Sequence, residues 1–193
     1  IEAWEEALPN FVKLAYLPNL GKVRLRLTAK GKVRKVLQEA INSASITLYP
    51  LIDDILYGTE DEESLEAVVA KLLTSKGFTL ATAESFTGGK IAEHITAIPG
   101  ASAYFKGSIV SYATEAKINV LGVPQDEVAK YSVVSKEVAM SMATGVKTLL
   151  KTDFAVATTG NAGPTKGDSP ANVGTVFIGI ASPNGVFATE FNM

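Results

Sequence analysis

Phe78-Thr79-Leu80-Ala81-Thr82-Ala83-Glu84-Ser85-Phe86-Thr87-Gly88-Gly89 is the stretch on which the fold turns. Residues 78–85 form a short, largely apolar run of strand length that ends in a serine, and two glycines then open a helical pattern from about residue 88. A strand that turns directly into a helix sets its last side chain against free helix N–H groups. The same texture continues downstream: a strand over 108–113 runs into a helix over 114–120, a helix spans 135–151, and strands cover 153–159 and 174–182. β-Branched strands bounded by glycine and separated by helices predict an α/β fold, a sheet covered by helices on both faces. Residues 185–193 begin one more strand, which is expected to be incomplete where the sequence stops.

Upstream the pattern differs. Residues 11–17 and 22–28 read as strands around the turn Pro18-Asn19-Leu20-Gly21. Alternation puts Val23, Leu25 and Leu27 on one face and Lys22, Arg24, Arg26 and Thr28 on the other, a half-buried hairpin. A helix is expected over 32–46, with Val33, Val36, Leu37, Ala40 and Ile41 at helical spacing, and beyond Pro50 a strand over 51–56. The acidic stretch 59–63 and an amphipathic helix over 64–75, closed by Gly77, mark the change of texture. The expected organisation is a small α+β linker domain over 1–60 and the larger α/β domain over 61–193.

Composition narrows the chemistry. With 193 residues, 47% hydrophobic and 20% charged, the chain reads as an ordinary globular protein, and no apolar run approaches the roughly 18 residues of a membrane span. The opening Ile-Glu-Ala-Trp-Glu-Glu lacks the basic start of a signal peptide, and the absence of cysteine removes disulfides and thiolate nucleophiles; the expected location is cytoplasmic. A net charge of −2 argues against whole-surface attraction to nucleic acid. Seven of the fourteen positions from Lys22 to Lys35 are basic, but no GxxG loop accompanies them, so a solvated strand face is the expected role.

Three strand-end segments can carry chemistry, because ligands of open α/β sheets bind beyond the carboxyl ends of the strands. In the first, Ser85 faces the start of a glycine-opened helix, a setting like a nucleophile elbow; the competing role is that Ser85 or Thr87 is a helix N-cap. In the second, Thr114 is the expected N-cap and Lys117 falls in the first helical turn, where a cation opposes the macrodipole. Bringing a lysine from about 10.4 to about 7–8 takes roughly 4 kcal/mol, more than a helix end supplies, so burial has to contribute most. The competing reading is an exposed lysine paired to Glu115 or another carboxylate. In the third, Thr158-Thr159-Gly160-Asn161-Ala162-Gly163-Pro164 offers hydroxyls and glycine backbone for a phosphate or ribose, or forms an ordinary turn. The one histidine, His94, sits too far along its helix to reach Ser85, which leaves lysine as the natural base, and Lys117 is preferred over Lys90 and Lys106.

These segments resemble, in order and spacing, the C-terminal domain of the CinA (competence/damage-inducible) family. The matching stretches are 82–89, 99–105, 110–117, 121–123, 134–135 and 159–164, within a resemblance that covers residues 70–193. Residues 1–60 resemble the linker that precedes this domain in two-domain members. The resemblance implies a nicotinamide-nucleotide amidase that converts nicotinamide mononucleotide to nicotinic acid mononucleotide and ammonia, with neither metal nor cofactor. It implies Ser85 as nucleophile, Lys117 as base and Tyr112 beside them, with Thr87, Gly88, Gly89, Thr159 and Gly160 lining the nucleotide site. Phe86 stands where many members carry cysteine and Asn161 where many carry isoleucine. Members continue past the last strand into a segment with arginines and a final helix. The expected partners are a small-molecule nucleotide and a second copy in a homodimer, with no membrane and no nucleic acid. The alternative is a non-catalytic pyridine-nucleotide-binding or regulatory module of a protein whose N-terminal domain, absent here, is an ADP-ribose pyrophosphatase.

Overall fold

A computed structural model of the chain describes residues 1–19, 21–56, 58–59, 64–167 and 169–193. The alternating basic run forms β2 (Lys22–Ala29), paired antiparallel with β1 (Val12–Asn19) so that Leu14 faces Leu27 and Tyr16 faces Leu25. A short helix, α1 (Glu2–Glu6), precedes the hairpin, and Trp4 donates its indole N–H to Thr47 Oγ1 at 3.0 Å. The next element, α2 (Arg34–Ile52), buries Ala44, Leu48 and Ile52 at four-residue steps. It runs straight through Pro50, so the strand expected over 51–56 is not formed. Leu48 and Ile52 continue the buried stripe across the proline, and their packing outweighs the one backbone hydrogen bond that Pro50 cannot donate. Val23, expected on the apolar face of the hairpin, is 60% exposed. These elements make up the unit Ile1–Thr59. Leu20 in the expected turn, residues 60–63 of the acidic stretch and Asp168 in the polar loop lie outside the described residues.

The second unit, Glu60–Met193, is built around a strand buried along its whole length, β3 (Leu80–Glu84). It is reached through α3 (Leu65–Lys76), which Ser64 caps by accepting from Ala67 N at 3.2 Å and which Gly77 ends. After β3 come α4 (Lys90–Thr96), β4 (Phe105–Val110), α5 (Thr114–Asn119), α6 (Gln125–Tyr131), α7 (Lys136–Leu150), β5 (Phe154–Gly160), β6 (Thr175–Ser182) and β7 (Gly185–Asn192). The sheet order is β4-β3-β5-β6-β7, with β4 and β5 parallel to β3 and the last two pairings antiparallel. The fold is therefore α/β, with a mixed rather than purely parallel sheet.

Helices cover both faces. On one side Val138, Met142, Ala143 and Val146 of α7 pack onto Ala81, Ala83, Ala155 and Ala157, small strand residues that let the helix approach closely. On the other, Ala70 of α3 and Ile95 of α4 pack with Leu80 and Tyr104. Fully burying a side chain such as Met142 or Val146 contributes about 1.5–3 kcal/mol. The strand expected over 108–113 sits three residues earlier, because Ser111 N makes the last ladder bond, to Glu84 O at 2.9 Å, before the chain leaves for α5. The helix α6 was not anticipated, although Pro124 followed by Asp126 and Glu127 in its first turn is a recognisable helix start.

Candidate active site

Ser85 follows the end of β3 directly, and its N–H donates to Thr158 O on β5 at 3.0 Å, which fixes the serine at the carboxyl end of the sheet. Lys117 rises from α5 on the β4 side. Its Nζ lies 2.9 Å from Ser85 Oγ, 2.8 Å from Ser111 O and 3.3 Å from Tyr112 O. Lys117 is only 3% exposed, and burial holds its pKa below the usual lysine range. An ammonium donates to all three oxygens. A neutral amine keeps two N–H groups on the carbonyls of Ser111 and Tyr112 and turns its lone pair to the serine hydroxyl, so the same geometry serves both protonation states.

The electrostatic reason offered by the sequence needs correction. The helix α5 has six residues, starts from Ala113 without a side-chain cap, and carries Lys117 in its closing turn, where a cation is favoured. Thr114 is its first residue rather than its cap. Burial alone lowers the lysine.

Sequence reasoning passed over Glu84. Its side chain is completely buried, and its two oxygens accept from Gly89 N, Ile91 N and Ala92 N at 3.0, 2.9 and 2.8 Å. The hydroxyls of Thr82, Thr87 and Ser108 donate to it at 3.2, 2.7 and 3.3 Å. Burial pushes its pKa up, but the hydrogen bonds from Thr87, Ile91, Ala92 and Thr82 outweigh this and hold it below the usual glutamate range. Glu84 is thus the anion at the start of α4, and neither Ser85 nor Thr87 caps that helix. The amides of Phe86, Thr87 and Gly88, which follow Ser85, have no acceptor among the described residues.

The other residues singled out by the sequence fall in different places. Thr87 gives its hydroxyl proton to Glu84 and therefore accepts from Thr158 Oγ1 at 2.8 Å, so its side chain is held inward. Gly88 and Gly89 form the turn with φ of 60° and 102°. Tyr112 brings its backbone carbonyl to Lys117, while its side chain is 79% exposed. Thr159 is buried and donates to Val133 O at 2.7 Å. A Cβ on Gly160 would sit 2.8 Å from both Phe86 Cδ2 and Thr175 O, so this glycine allows Phe86 to pack against the carboxyl end of β5. His94 pairs with Glu66 at 3.1 Å, away from the serine. Asn161 pins the loop that follows β5, donating from Nδ2 to Ala171 O at 2.8 Å. A groove of about 620 Å³ between α7 and residues 120–124 contains neither Ser85 nor Lys117. Among the described residues no group of three or more His, Cys, Asp or Glu side chains is arranged to hold a metal ion, and no helix is long and apolar enough to cross a membrane.

A mixed α/β sheet sandwiched by helices, with a strand-end serine bonded to a buried lysine, defines the class of protein. The chain belongs to the CinA family: residues 62–193 match the CinA C-terminal domain. It is 58% identical over 192 residues to a CinA-like protein of Flavobacterium psychrophilum, covering all of this chain and 46% of that one. A CinA-like protein of Cytophaga hutchinsonii is 39% identical over 193 residues, again 100% of this chain and 46% of the relative. The chain thus spans less than half the length of these curated relatives. Among solved structures, the competence damage-inducible protein A of Klebsiella pneumoniae superimposes with a TM-score of 0.64 at 33% identity over 66% of this chain and 80% of that one. The competence/damage inducible protein CihA of Agrobacterium tumefaciens gives 0.64 at 35% identity over 72% and 84%.

Proposed function

We propose that the second unit is an amidohydrolase that converts nicotinamide mononucleotide to nicotinic acid mononucleotide and ammonia. The observation that carries this reading is the 2.9 Å contact between Lys117 Nζ and Ser85 Oγ in a site where burial favours the neutral amine. Lys117 takes the hydroxyl proton as Ser85 Oγ attacks the carboxamide carbon. The oxyanion of the tetrahedral intermediate meets the free amides that follow Ser85. The Lys117 ammonium then returns the proton to the leaving nitrogen, the C–N bond breaks and ammonia departs. Water, deprotonated by Lys117, releases the acid from the acyl-serine and restores both groups. The substrate and the activity are inferred from the site together with the family resemblance.

The test is ammonia release from nicotinamide mononucleotide by the full chain, followed by Ser85→Ala and Lys117→Met. Each substitution is expected to lower turnover by several orders of magnitude with the fold intact, and the double variant to be scarcely worse than either single, because the two residues share one step. Multiplicative losses in the double variant would show that they do not.

A further inference from the structure

The backbone amides around Ser85 fall into three sets. Ser85 N donates to Thr158 O on β5 at 3.0 Å, so the amide of the serine itself is taken up by the sheet. Gly89 N, Ile91 N and Ala92 N donate to the Glu84 carboxylate at 3.0, 2.9 and 2.8 Å. Between them lie the amides of Phe86, Thr87 and Gly88, which have no acceptor among the described residues. The same carboxylate also reaches the neighbouring strand end. Thr87 Oγ1 donates to Glu84 Oε2 at 2.7 Å and accepts from Thr158 Oγ1 at 2.8 Å, and Thr158 is the residue whose carbonyl holds Ser85 N. One side chain thus ties the start of α4, the turn and, through Thr87, the end of β5 around the serine.

Holding a helix of seven residues does not call for this arrangement. A serine, threonine or aspartate at the N-cap satisfies such a helix from its own end. Here the acceptor is instead a carboxylate with no exposed surface, on the strand that leads into Ser85. Amides at a helix start are ordinarily open to an anionic group of a ligand. Those of α4 are already filled by an anion of the chain, so negative charge developing at a substrate has to be met by the turn, and Glu84 sets the shape of that turn. Donors to such charge act through their position, and a misplacement of about 1 Å can cost about 10²-fold in rate.

We propose that Glu84 is a positioning residue of the amidase, which holds the amides of Phe86, Thr87 and Gly88 in place for the oxyanion without touching the substrate. This rests on the amidase reading above and extends it to a group that acts through the loop. The experiment uses the full chain, well below the melting temperature of each variant. It measures steady-state turnover of nicotinamide mononucleotide and the rate at which an alkyl fluorophosphonate labels Ser85. In the labelling step the Ser85 Oγ–P bond forms, the P–F bond breaks with loss of fluoride, and the hydroxyl proton passes to Lys117. That readout needs the nucleophile, its base and its oxyanion donors, but no nucleotide. Glu84→Gln is expected to lower kcat and the labelling rate together by about ten- to a hundredfold, with KM changed by less than about twofold. Thr87→Val, which removes the link to Thr158, should lower both in the same sense, and Thr87→Ser should restore them. A glutamate that only stabilises the fold would lower Tm and leave kcat and the labelling rate of the folded protein unchanged. That result, or a raised KM with kcat intact, overturns the proposal; if Glu84→Gln does not fold, the two Thr87 variants decide. If the unsubstituted chain releases no ammonia, the amidase reading fails and the labelling rates alone judge the positioning role, which the absence of any labelling would overturn as well.

Discussion

Replacing Glu84 by glutamine tests whether a buried carboxylate, rather than a serine or threonine cap, holds the loop after Ser85. Glutamine keeps the shape but converts one acceptor oxygen into a donor. With its NH2 in the Oε2 position, the amides of Gly89 and Ile91 would both lose their acceptor. In the Oε1 position only Ala92 N–H is orphaned, since the hydroxyls of Thr82 and Ser108 can rotate to accept. The second arrangement is the cheaper one. It costs about 1–3 kcal/mol for one buried amide, plus roughly 0.3–1 kcal/mol for the charge lost at the start of α4, so about 1.3–4 kcal/mol in all. For a chain of this size that lowers Tm by roughly 3–16 °C, to be read by calorimetric or circular-dichroism melts. The sign of the pH dependence follows from the lowered pKa. An unfolded glutamate titrates near about 4.3 and the folded one below it, so the stabilisation is fully present above the unfolded value and is lost as pH falls through the folded one. The gap between native protein and Glu84→Gln should be constant from about pH 5 to 8 and narrow in acid. A melting temperature unchanged by the substitution, or a gap that widens on acidification, would refute the reasoning.

Two further outcomes follow from the same geometry. Because burial lowers the pKa of Lys117, kcat/KM should climb with pH and level off below the ordinary lysine range of about 10.4; between the folded value and that limit the unfolded chain holds the extra proton, so native protein should gain stability over Lys117→Met as pH rises. A stability difference flat across that range would mean the lysine is not perturbed. Gly145→Ala should destabilise by about 1–3 kcal/mol in denaturant melts, because its Cβ would meet Leu121 O at 2.0 Å, a backbone atom of the loop after α5 that cannot yield cheaply. Alanine would otherwise favour the helix by about 1 kcal/mol, so an unchanged or raised stability would rule out that close approach.

The contrast between Ser85 and Glu84 shows how far a sequence carries such a site. Ser85 was legible because a strand followed by paired glycines is a local signal, and local signals survive without tertiary information. Glu84, one residue earlier, was not, although it organises the same turn. In a strand neighbouring side chains leave on opposite faces, so reading the serine as the functional face assigns the glutamate to the other side, where only the packing of α4 gives its charge a purpose. Lys117 lies between these cases. Its pairing with Ser85 was expected from strand-end topology, but the local argument from the helix dipole does not hold, since α5 is too short to set the lysine against a positive terminus. What lowers it is enclosure, with Ser111, Tyr112 and Ser85 supplying oxygens from two strand ends. Ser132, which ends α6 with φ of 73° and ψ of 160°, is a harder case still, because nothing in Lys-Tyr-Ser-Val-Val announces a backbone in glycine territory. Residue type and spacing therefore expose groups whose chemistry is their own, whereas groups that act by satisfying distant backbone become visible only when the chain folds around them. That places Glu84→Gln, rather than Ser85→Ala, as the substitution that tests the structure itself.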